Sequence, residues 1–261
     1  IYISYDCGDS WTSVLNGTDD VGLKIPYMKP ENNEGSSIIH WISDVKINPY
    51  NKNEAWFNTG TGIFRTENLC SDKPVFCDCC CGIEETVHLN VYSPPSGDVM
   101  LIDILGDLGG FAFTDIRRFA GNTFTDEDNK RYITCINADF PDNNPNLTVV
   151  TARGNWRGTT RGGLIISRDQ CRTFDFRPEL PFGLSEKLDV LFHRIERPNV
   201  NAGWAAISAD GVSIVWCVAD RGNILPSDCV VYSNNMCESY GISLFLDLSL
   251  IHISEPTRLR R

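Results

Sequence analysis

A chain of 261 residues, 42% of them hydrophobic, is long enough to bury one large core or two small ones. Its formal net charge of −11 opposes binding to nucleic-acid phosphates and to anionic membranes, and no apolar run approaches the roughly 18 residues that span a bilayer. With 21 Gly and 13 Pro punctuating the chain and no sustained helical period of apolar residues, the composition predicts an all-β fold.

The chain opens with IYISYDCGDSW, in which Ser4, Asp6, Gly8, Ser10 and Trp11 fit the Asp-box pattern S-x-D-x-G-x-[ST]-W. This is a hairpin turn: the short carboxylate accepts backbone N–H bonds, Gly takes the left-handed position and the aromatic packs between sheets. Thr66-Glu67-Asn68 is a fainter copy. The run Cys77-Asp78-Cys79-Cys80-Cys81 lacks a second pair of ligands at tetrahedral spacing, so it reads as a loop; neither a metal nor a cofactor is expected.

Val87, Leu89 and Val91 alternate as a strand, Ser93 to Gly97 form a tight loop, and Val99 to Leu105 form a second strand. Asp107 then emerges at a strand end among Gly106, Gly109 and Gly110, which are expected to clear space for a ligand to approach the main chain. A second Asp-box copy has Ser167, Asp169 and Phe174, with Cys171 where Gly is expected, and a third runs from Ser233 to Tyr240. The Asp-box residues are read as structural. Trp11, Trp204 and Trp216 fall in strand or box patterns and are expected in the core. Repeated strand and turn units of this kind predict an incomplete β-propeller of four-stranded blades.

Eleven cysteines and the sequons at Asn16 and Asn146 point to secretion and an extracellular location. Residues 247–261 match nothing before them and are read as a non-native, adapter-derived tail outside the fold.

Several stretches resemble the xyloglucan-active enzymes of glycoside hydrolase family 74. Asp44 to Asn51 is similar to that family's D-x-x-I-D-P-F-N, Asn58 to Phe64 to its G-T-G segment, and Gly82 to Thr86 to its G-I-E-E-T. Ser93 to Gly97 resembles S-P-P-S-G, and Ser208 to Gly211 with Val215-Trp216 resembles S-A-D-G…V-W. The most specific piece, Gly106-Asp107-Leu108-Gly109-Gly110-Phe111, is similar to G-D-I-G-G-F.

The resemblance implies that residues 1–35 end a first propeller and residues 36–246 form part of a second. It implies that Asp107 is the general acid of an inverting hydrolysis of a β-1,4-glucan, most specifically plant cell-wall xyloglucan, by a monomeric enzyme. The general base would be contributed by the other propeller, leaving this chain alone inactive. A raised acid pKa is expected from burial near Phe111 and Phe113. Gly109, Gly110, Phe111, Glu84, Glu85 and Asp115 are candidate substrate contacts, although the glutamates also suit a solvated strand start and Asp115 a turn cap. Trp41 and Trp156 suit either stacking on pyranose faces or packing between blades.

The chain departs from the family after Phe111, where Ala112 and Phe113 replace an Arg-His pair. That departure keeps open a non-catalytic Asp-box binding module comparable to sorting-receptor ectodomains. A sialidase would require an arginine cluster that the sequence does not display.

Overall fold

A computed structural model describes residues 1–15, 21–28, 41–84, 86–120, 122–154, 162–177, 201–219 and 229–244. The chain divides into two compact units, Ile1–Val87 and His88–Arg261. The expected boundary near residue 35 and the tail at 247–261 lie outside the described residues.

In the first unit, β1 (Tyr2–Ile3) and β2 (Thr12–Ser13) form the hairpin that carries the first Asp-box sequence. A 3-10 turn at Pro26–Met28 follows. The strands β3 (Asp44–Asn48), β4 (Asn51–Asn58), β5 (Ile63–Thr66) and β6 (Phe76–Asp78) then make an antiparallel four-stranded meander.

Period-2 alternation buries Ala55, Phe57, Phe64 and Phe76 on one face of that meander. Phe57 stacks on Phe64 at 5.0 Å and meets Phe76 edge-on at 5.2 Å. The buried Asp78 carboxylate accepts the N–H groups of Lys24 and Ile25, joining the preceding segment to β6 and satisfying a carboxylate that burial would otherwise penalise.

The second unit contains three further four-stranded meanders. The first comprises β7 (Val87–Tyr92), β8 (Leu101–Gly106), β9 (Gly109–Phe113) and β10 (Asn122–Thr123). The second comprises β11 (Thr134–Asp139), β12 (Thr148–Arg153), β13 (Gly163–Ser167) and β14 (Asp175–Phe176). A lone parallel bridge between Gly109 and Thr134 links these two meanders. The last comprises β15 (Asn201–Ile207), β16 (Ile214–Ala219), β17 (Cys229–Ser233) and β18 (Gly241–Leu244).

Two apolar layers hold these meanders together. Ile102, Ile104, Phe124, Tyr132, Val150 and Ile165 lie in the first; Val149, Leu164, Ala205, Trp216 and Val231 lie in the second. Polar pins cross the layers: Asn137 and Asp139 accept the N–H groups of Ala205 and Ile207, each at 2.8 Å, and Thr151 donates to the Gly203 carbonyl at 2.7 Å. The all-β class expected from composition is what the described residues form, apart from the short 3-10 turn.

The turns after β5, β13 and β17, and the β1–β2 hairpin, share one hydrogen-bond scheme. A Ser or Thr hydroxyl donates to the Asp or Asn two residues on, as in Ser4 to Asp6, Thr66 to Asn68, Ser167 to Asp169 and Ser233 to Asn235. In three of the turns that acceptor also receives the N–H four residues further, from Ser10, Thr173 and Ser239.

The aromatic ends of the boxes differ from expectation. Phe174 is buried, its ring 4.6 Å from Phe124, but Trp11 is 61% exposed and its indole N–H donates back to the Gly8 carbonyl of its own turn. Trp216 is core, whereas Trp204 is 56% exposed. The reason is register: Trp204 lies on the face of β15 opposite Ala205, and that face carries Val215 and Tyr232, also exposed.

Candidate active site

Asp107 and Leu108 form the turn that joins β8 to β9, as the sequence pattern requires. Asp107 is exposed and adopts φ 63°, the left-handed region that Asp tolerates better than most residues. Its N–H donates to the Thr134 hydroxyl at 3.1 Å, and the neighbouring Gly109 N–H donates to the Ile133 carbonyl at 3.2 Å. The start of β11 therefore grips the base of this turn while the Asp107 carboxylate faces solvent.

Gly109 (φ 75°) and Gly110 are buried, and the room they leave is filled by protein: a Cβ on Gly109 would stand 2.5 Å from the Tyr132 carbonyl oxygen, and one on Gly110 would stand 2.4 Å from the Phe124 ring. Phe111 is also withdrawn from solvent, at 4% exposure, with its ring against Phe113 and Phe119 and the Arg131 guanidinium 5.9 Å from its centroid. These three residues pack beneath the turn. The expected burial of Asp107 among Phe111 and Phe113 is likewise absent, because the rings turn to each other and the aspartate stands clear.

Asp115 caps the next turn. It accepts the Arg117 N–H at 3.0 Å and pairs with the guanidinium groups of Arg117 and Arg118. The hydrogen bonds from Arg117 hold its carboxyl below the ordinary carboxylate range. Glu84 accepts the Gly82 N–H at 2.9 Å within a turn of the first unit. In the same unit Trp41 is 81% exposed, a large apolar surface open to solvent. Glu85 and Trp156 lie outside the described residues.

Two features near the turn escaped the sequence reading. Asp103 is a buried carboxylate on β8, four residues before Asp107, and its Oδ1 lies 2.8 Å from Nδ1 of the half-exposed His88 on β7. An acidic residue inside the apolar run Val99 to Leu105 is the signal that could have revealed this pair, because a buried carboxylate demands a partner. Arg131 is buried beside Phe111, and desolvation lowers its pKa to about 10. Ten cysteines, among them Cys77, Cys79, Cys80 and Cys81, are free thiols.

Four-stranded antiparallel meanders that stack face on face within the second unit, with side-chain-bonded turns after their third strands, are the blades of a β-propeller. Solved structures agree: a glycoside hydrolase family 74 enzyme of Niastella koreensis matches with a TM-score of 0.62 at 21% identity, over 92% of this chain and 29% of that one.

In sequence, the chain is 25% identical to a xyloglucanase of a Paenibacillus species over 241 residues, 85% of this chain. It is 26% identical to the xyloglucanase Xgh74A of Acetivibrio thermocellus over 192 residues, 72% of this chain. The chain spans only 22% and 20% of the lengths of these two relatives. No family model matches it. The chain thus forms blades like those of the family 74 β-propellers, without a closed propeller among the described residues, and is similar in sequence to xyloglucanases, as its motifs led one to expect.

Proposed function

We propose that this chain is part of a secreted glycoside hydrolase that cleaves the β-1,4-glucan backbone of xyloglucan with inversion, and that Asp107 is its general acid. The observation that carries the reading is the presentation of Asp107: one exposed carboxylate on a hairpin tip whose backbone is held by the next blade. The similarity to xyloglucanases supports the substrate class.

In this mechanism the protonated Asp107 carboxyl gives its proton to the leaving glycosidic oxygen. A second carboxylate takes a proton from a water that attacks the anomeric carbon from the opposite face. Such pairs stand about 6.5–9.5 Å apart to admit the water. The base is proposed to come from a segment beyond this chain, so residues 1–261 alone do not hydrolyse the polymer.

The test is hydrolysis of xyloglucan by the complete protein with and without Asp107→Asn. Loss of about 10²–10⁴-fold in kcat is expected, and retained activity would remove Asp107 from the mechanism.

A second reading, a non-catalytic binding module, is favoured by Ala112 and Phe113, which put no polar side chain at the last two positions of β9, where the related enzymes carry Arg and His. It predicts xyloglucan binding that Asp107→Asn leaves unchanged, with no hydrolysis by the complete protein.

A further inference from the structure

Asp107 does not fix its own conformation. At φ 63° it occupies a region that L-residues avoid, and its N–H donates to the hydroxyl oxygen of Thr134, 27 residues later in the chain. Thr134 is buried and opens β11. The residues just before it hold the other side of the same turn: Ile133 accepts the Gly109 N–H, and the Tyr132 carbonyl occupies the space a Gly109 side chain would need.

We propose that Thr134 is a positioning residue for the hydrolysis. Its hydroxyl oxygen anchors the Asp107 N–H and thereby fixes the left-handed backbone from which the carboxylate is presented. The inference rests on the general-acid reading of Asp107.

Without that oxygen the Asp107 amide loses its anchor, and the residue can relax toward a right-handed turn that swings Cβ and the carboxylate away from the leaving oxygen. A misplacement of about 1 Å costs on the order of 10²-fold in rate. Valine keeps the shape and β-branching of threonine and suits a strand, so Thr134→Val removes the acceptor while sparing the packing. Serine keeps the acceptor.

The experiment compares wild type, Asp107→Asn, Thr134→Val and Thr134→Ser in the complete protein on xyloglucan. Thr134→Val is expected to lower kcat by about 10- to 100-fold with KM nearly unchanged, and Thr134→Ser to restore most of it. If Asp107→Asn stays active, the general-acid reading fails and this inference with it. If Asp107→Asn is inactive while Thr134→Val keeps the wild-type kcat, the positioning role alone is overturned.

Amide hydrogen exchange at Asp107 in the 261-residue chain gives a readout that needs no activity. The Asp107 N–H should be protected in wild type and in Thr134→Ser, and lose protection in Thr134→Val. Should the valine variant fail to fold, wild type still decides: an Asp107 amide that exchanges at the unprotected rate overturns the proposal.

Discussion

Replacing Gly109 with Ala tests whether the turn under Asp107 is clamped by protein or open to a ligand. Two costs arise. Gly109 has φ 75°, and placing an L-residue in the left-handed region costs about 1–2 kcal/mol, offset by roughly 0.4–1 kcal/mol from the reduced freedom of the unfolded chain. The new Cβ would also lie 2.5 Å from the Tyr132 carbonyl oxygen, a backbone atom that cannot yield without moving the start of β11, and overpacking of this kind costs about 1–3 kcal/mol more.

Gly211 is the control. It lies in the same unit with φ 76°, but its nearest obstacle is Leu147 Cδ2 at 2.9 Å, the far end of a side chain that can rotate. Gly211→Ala should therefore cost about 1 kcal/mol and Gly109→Ala about 2–4 kcal/mol. Urea unfolding followed by tryptophan fluorescence and circular dichroism reads the difference. With a slope of about 2 kcal/mol per molar, the two midpoints should separate by about 1 M. Coincident midpoints would refute the clamp and return Gly109 to the role of clearing space for a ligand.

The box aromatics should divide by burial: Phe174→Ala should destabilise by about 3–5 kcal/mol in thermal or urea unfolding, while Trp11→Ala should cost less than about 1 kcal/mol, and equal losses would contradict the packing described. Hydrogen bonds from the Ser10 hydroxyl, the Ser10 N–H and Ser4 hold the Asp6 carboxyl down to about 2, so a carboxyl NMR titration should find its midpoint there and not at the ordinary 3.8. Because this folded-state value lies below the unfolded one, the stabilisation from Asp6 is present in full above about pH 4 and is lost as pH falls through about 2; Asp6→Asn should remove that dependence. On the last meander, Trp204→Thr with Val215→Thr should lower self-association in light scattering at an unchanged melting temperature, since both side chains are exposed and apolar; a large fall in melting temperature would mean that this face is already covered.

What the sequence disclosed about the fold follows the range of the contacts involved. The box turns were legible because each is closed by hydrogen bonds within about six residues, between Ser, Thr, Asp and Asn side chains and nearby backbone. The strand, loop, strand and turn leading to Asp107 were legible for the same reason. The contacts that decide what surrounds Asp107 are not local. Gly109 meets Tyr132, Gly110 meets Phe124, and Asp107 meets Thr134, and no periodicity within β8 or β9 announces any of these. The same limit explains Trp204. Alternation places it opposite Ala205, but which face of β15 meets β11 and β12 is set by Asn137, Asp139 and Thr151, more than 50 residues earlier.

The box turns and the Asp107 turn solve one physical problem in two ways. In each, a hydroxyl oxygen accepts the N–H of a left-handed residue: Ser4 from Gly8, Ser167 from Cys171, Ser233 from Cys237, and Thr134 from Asp107. In the boxes the hydroxyl lies four residues earlier, so the turn carries its own support. That support is sufficient for Cys to stand where Gly is the usual choice, at φ 62° and 67°, with the burial of the Cys171 and Cys237 side chains offsetting the backbone strain. At Asp107 the hydroxyl belongs to another meander, so the geometry of the carboxylate exists only when β11 is docked. A mutation that loosens the apolar layer between β8 and β11 would therefore disturb Asp107 without touching it, whereas the box turns would keep their form. Coupling this exposed carboxylate to inter-blade packing also accounts for Gly109 and Gly110: they are small because β11 and Phe124 must come close enough to hold the turn.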